Sequence, residues 1–128
     1  MFREMLDRIL AEAEAITEAE YILPPAEPLG PNDTILGEMM PEMLRFHTLL
    51  ERAEVAAKAT KDLPYGVDQT KLCEAWNRQQ ALENLFWLAI REAFPDHRDR
   101  NIAVVRVGDR PMVVATPYVI DMRKYEHD

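Results

Sequence analysis

Residues 102–107, Ile-Ala-Val-Val-Arg-Val, and 112–120, Met-Val-Val-Ala-Thr-Pro-Tyr-Val-Ile, joined at Gly108-Asp109, decide how this chain folds. β-Branched residues dominate both runs, and a Gly-containing pair between them is a two-residue hairpin signal. Before Pro95 the apolar residues recur mostly at three- and four-residue steps, which is helical spacing. The sequence therefore predicts an α+β fold in a single domain: a three-helix N-terminal region with two long antiparallel helices, and a C-terminal β-hairpin packed on the last helix.

A lone hairpin is marginal in water. Ala103, Val105 and Val107 point one way and Ile102 and Val104 the other, while Met112, Val114 and Ile120 alternate with Val113, Ala115 and Val119. Both faces are apolar, so one is expected on the helices and the other under a helix, the proline-rich segment or a second copy of the chain. That excess of apolar surface predicts a homodimer, with Phe86, Trp87, Val105 and Val113 at the interface. Pro111 and Pro117 lack amide donors and imply edge positions or irregularities at those two points, which limits how far a continuous ladder between subunits extends.

Working back from the hairpin, residues 69–94 carry Leu72, Trp76 and Leu82, then Leu85, Phe86, Trp87, Leu88, Ala89, Ile90, Ala93 and Phe94. A helix apolar on most sides is central. Leu63-Pro64-Tyr65-Gly66 is a turn, with Asp68 as N-cap and Val67 and Leu72 as a hydrophobic staple. A second long helix is expected from Pro41 to Lys61, with Met43, Leu44, His47, Leu50, Ala53 and Ala57 inward, after a short turn over residues 34–40 and a cap at Asn32 or Asp33. Pro24, Pro25, Pro28 and Pro31 make residues 22–33 an extended crossing. Phe2, Met5, Leu6, Ile9, Ala13 and Ile16 line one stripe of a first, acidic-faced helix. Residues 125–128 read as a frayed tail.

The formal charge of −8 sets the whole field against phosphate backbones and anionic lipid surfaces, so neither nucleic acid nor membrane is an expected partner. The basic stretch His97-Arg98-Asp99-Arg100 is diluted by its acids and has no aromatic stacking platform, so it reads as a solvated loop. A lone cysteine, Cys73, cannot form an intrachain disulfide and suits a reducing cytoplasm. Glutamates and Asp7 interrupt the apolar pattern of the first twenty residues, which is unlike a secretory signal.

No catalytic residue can be assigned from a motif, and neither cofactor nor metal is expected. The four glycines never form Gly-x-Gly, no Glu-x-x-His occurs, and Phe86 stands three positions after Glu83 where a second acidic helix pair would need a carboxylate. Cys73 lies early in its helix, but no histidine adjoins it in sequence. The residues with most potential for ligand binding are His47 and Glu51, four apart on one helix, with Gln79 and Glu83 interrupting the apolar pattern of the next. They define an expected polar pocket between helices two and three. Two readings of function follow: a small cytoplasmic structural or interaction protein that self-associates through its hairpin and last helix, or a ligand-binding or metal-assisted enzyme built on that pocket.

Overall fold

The computed structural model describes residues 2–61, 69–97 and 101–116. Helix α1 spans Phe2–Ala15 and is followed by a 3-10 turn over Glu18–Glu20; strand β1 is Thr34–Glu38, α2 is Pro41–Lys61 and α3 is Gln69–Ala93. A second 3-10 turn, Pro95–His97, leads to β2 (Asn101–Val107) and β3 (Arg110–Thr116). The fold is α+β, as the switch in periodicity predicts. Val67, Asp68, the 63–66 turn, the 98–100 loop, Pro117, Val119, Ile120 and the 125–128 tail lie outside the described residues.

Helix α2 begins at Pro41, whose missing amide donor costs nothing in a first turn. Its partner α3 runs antiparallel to it: His47 stacks near Phe86, while Ala56, further along α2, shares a groove with Ala75, further back along α3. The two helices form the main interhelical contact, and α1 lies against both. Ile9, Ala13 and Ile16 from α1, Met43, Phe46 and Leu50 from α2, Leu82, Phe86 and Ile90 from α3, and Val113 from β3 make one continuous buried cluster.

The sheet has three antiparallel strands in the order β1-β3-β2, and this corrects two expectations. Residues 34–38 form a strand rather than a turn, because the hairpin's open edge offers backbone partners that a five-residue segment cannot find locally. The segment 32–33 accordingly does not cap α2: the Asp33 carboxylate accepts the Gly30 amide at 2.6 Å and closes a tight turn before β1. Between Ile35 and Gly37 the register shifts, leaving Leu36 as the extra residue of a bulge, and Leu36 packs on the core. A Cβ on Gly37 would come within 3.2 Å of the Phe94 ring, so the bulge leaves little room for a side chain there.

β3 is the central strand, and Pro111 falls just beyond its ladder to β1, where no amide donor is needed. Its Pro111 sits opposite Arg106 next to the turn, where the Arg106 amide points outward to the Pro25 carbonyl at 3.1 Å. The Pro111 carbonyl accepts the Met39 amide at 2.9 Å just past the end of β1, so the absent donor ends the ladder without breaking it. Gly108 takes φ +63° and no non-glycine described residue has positive φ, which fits a type II′ turn with glycine first.

Val113 faces the helices with Ile102 and Val104 beside it. On the opposite face Val105 and Val114 are also buried within the single chain, while Ile35 and Val107 at its margins are exposed. The proline-rich segment runs along the outer edge of β2, where Ala26 forms a single parallel bridge to Arg106 and Pro24 is fully buried. It is the extended crossing that its prolines dictate.

Candidate functional site

The expected pocket centres on His47, which is 5% exposed in the middle of α2. Its Nδ1 lies 2.7 Å from the carbonyl oxygen of Ile22. A carbonyl can only accept, so Nδ1 carries the proton and donates it. The neighbouring Thr48, with no exposed surface, accepts the Ile22 amide at 2.9 Å and donates its own hydroxyl to the Leu44 carbonyl at 2.7 Å. Two consecutive side chains of α2 therefore satisfy both backbone groups of one residue in the crossing segment. The Phe86 ring, centred 5.6 Å from the imidazole, closes the remaining side.

Through Nδ1, His47 thus helps to clamp the crossing segment onto α2. Replacing Thr48 with valine keeps the bulk but strips the acceptor from the Ile22 amide, and should cost about 1–3 kcal/mol in a urea titration; Thr48→Ser should retain most of the stability. A valine variant as stable as the parent would show that the clamp adds nothing.

Of the four expected ligand-binding residues, His47 and Glu51 lie close together, with the Glu51 Oε1 3.7 Å from the imidazole Nε2, beyond hydrogen-bonding range. Gln79 turns its amide oxygen into the protein, where that atom has no hydrogen-bond partner, and the Nε of Arg45 is orphaned in the same way. The pairing of Gln79 with His47 or Arg45 that an inward-facing amide would call for is not made. Glu83 is exposed and lines a different groove with Gln80, Asn84, Trp87, Leu88 and Arg91. Among the described residues no group of three or more histidine, cysteine or acidic side chains is placed to hold a metal ion, and Cys73 is exposed.

A second groove separates α1 from the α2–α3 pair. Ala53, Ala56 and Ala75 form much of its floor, and ion pairs Arg78–Glu12 and Arg52–Glu20 bridge across it. Glu20 also accepts the Thr17 amide at 3.2 Å and the Thr17 hydroxyl at 2.9 Å. The amide bond, then the hydroxyl and Arg52, hold its carboxyl below the ordinary carboxylate range. These contacts fasten the end of the first helical segment to α2.

Of the four residues expected at an interface, Phe86, Val105 and Val113 are closed off inside the single chain, and Trp87 alone keeps partial exposure. The Trp87 ring stands edge-on to Phe86 with centroids 5.2 Å apart. On the outward surface of α3, Leu88 beside it is 52% exposed and Trp76, about three turns earlier, 43%. Arg91 is the groove residue that reading for apolar positions passes over; Leu88 belongs to the expected apolar set and faces outward from a helical position opposite Leu82, Phe86 and Ile90.

No known protein family, characterised protein or solved structure matches this chain. The class is thus set by the fold alone: a helical hairpin with a short N-terminal helix, laid on a three-stranded antiparallel sheet. No described helix is long and apolar enough to cross a membrane.

Proposed function

We propose that this chain is a small structural or interaction subunit of the cytoplasm that self-associates through the outer face of α3. The observation that carries the proposal is the groove on that face, whose lining residues all belong to α3 and include the exposed Leu88 and the half-buried Trp87. A leucine exposed beside a partly exposed tryptophan, ringed by polar side chains, gives this face the apolar centre and polar rim of a contact surface. The same lining holds one carboxylate, Glu83, and one guanidinium, Arg91, with Gln80 and Asn84 between. It is electrically balanced in a chain whose net charge is −8, so two copies can meet there without stacking like charge.

The hairpin's part in the assembly is reduced to its margins, since the centre of its second face is covered within one chain. Leu88→Asp places a charge on the proposed contact at an exposed position, whereas Trp87 also packs on the core and is not a clean probe. Leu88→Asp should leave the far-UV circular dichroism of the parent unchanged and shift its mass from dimer to monomer in size exclusion coupled to light scattering. A folded variant with the parent's oligomeric mass would remove this reading.

A further inference from the structure

The groove on α3 has a geometry that specifies how two copies meet. Its six lining residues are two adjacent rows of side chains at four-residue spacing: Gln80, Asn84 and Leu88 on one side, Glu83, Trp87 and Arg91 on the other. Such rows are the ridges of helix packing, and the space between two of them is the slot that a neighbouring helix's ridge enters. The second row is self-complementary. Glu83 and Arg91 stand four residues to either side of Trp87, about 6 Å along the axis in each direction. A two-fold axis beside Trp87 that sets two α3 helices antiparallel brings each Glu83 opposite the other copy's Arg91.

We infer that this chain forms an antiparallel α3–α3 homodimer in which the Glu83–Trp87–Arg91 row of each copy seats in the groove of the other, paired by two reciprocal Glu83–Arg91 contacts. The inference rests on the self-association proposed above and adds its partner and register. Among the described residues neither Glu83 nor Arg91 makes an ion pair within its own chain, so both charges are available to a partner. Seating one four-residue row in another's groove gives a crossing near −50°, the commonest class for packed helices. It places the two Trp87 rings next to each other at the dyad, with each Leu88 covering the flank. The two-fold makes every substitution count twice, so a charge reversal on either residue sets two like-charged pairs face to face.

The test is a charge-swap series on the full chain, with molecular mass read by analytical ultracentrifugation and folding checked by thermal melting. Both sites are exposed on a helix, so the variants should keep a cooperative melt, lowered only by the lost mass-action stabilisation of the dimer. The parent should be a dimer. Glu83→Arg alone and Arg91→Glu alone should each weaken it by about tenfold or more. Mixing these two single variants in equal amounts should restore a dimer, because every facing pair is then of opposite sign, and the double variant E83R/R91E should restore it within one molecular species. A parent that dimerises while the single variants dimerise as well as it does, or a mixture that fails to recover, overturns the register and leaves self-association standing. A parent that remains monomeric at millimolar concentration overturns both.

Discussion

Phe86→Ala should lower folding stability by about 3–5 kcal/mol, the range for truncating a buried phenylalanine. The side chain is 2% exposed and belongs to the cluster that joins all three helices to β3. Its ring also packs against the His47 imidazole and the Trp87 indole, so the cavity would open beside the clamp on Ile22. For a chain of this size the loss corresponds to a fall in melting temperature on the order of 10–20 °C. Phe86→Leu fills more of the space and should fall less. The measurement is a pair of denaturant titrations, and an alanine variant within about 1 kcal/mol of the parent would mean that the ring is not an anchor of the core.

Val113→Asp should be more damaging still. Val113 has no exposed surface, lies on the central strand between β1 and β2, and faces the helices. A carboxylate placed there loses its hydration without gaining a cation, at a cost of several kcal/mol. That is comparable to the roughly 5–15 kcal/mol that holds a whole domain folded. The expected result is a chain without a cooperative thermal transition, recovered mostly as aggregate. The contrast with Leu88→Asp separates folding from assembly: an aspartate on the outer face of α3 should keep a cooperative melt, lowered only by loss of the dimer, and change the mass. A Val113→Asp protein that melts as the parent does would place that residue on the surface.

The helices and the hairpin are legible in the sequence because each carries its own local period: α2 begins at Pro41, α3 runs to Ala93, and the turn falls at Gly108-Asp109. Strand β1 is not, because Thr34–Glu38 has five residues, a glycine and a bulge, and owes its conformation to a β3 edge far away in the chain. Pro111 is legible only in part for a related reason. A missing donor suggests an edge or an irregularity, and here it falls beyond the last β1 register pair, where only the proline's carbonyl is used. The expected interface residues Phe86, Val105 and Val113 were the most apolar ones, and apolarity marks a core and a contact alike. The chain's own interior claims all three, leaving exposed Leu88 with Glu83 and Arg91 as the informative set. His47 shows the converse limit. Its strongest partner is a backbone carbonyl, which no pattern of side chains announces.

Pairing β1 with β3 joins segments about eighty residues apart in sequence. During synthesis Thr34–Glu38 leaves the ribosome long before Arg110–Thr116 exists, so this pairing can close only after β3 has emerged. The helical pair comes out earlier and is linked by local contacts, which makes it the platform on which the strands later close. A nascent chain cut before Arg110 would therefore leave β1 and β2 without the strand that separates them, and their backbone edges open to chaperones or to other nascent chains.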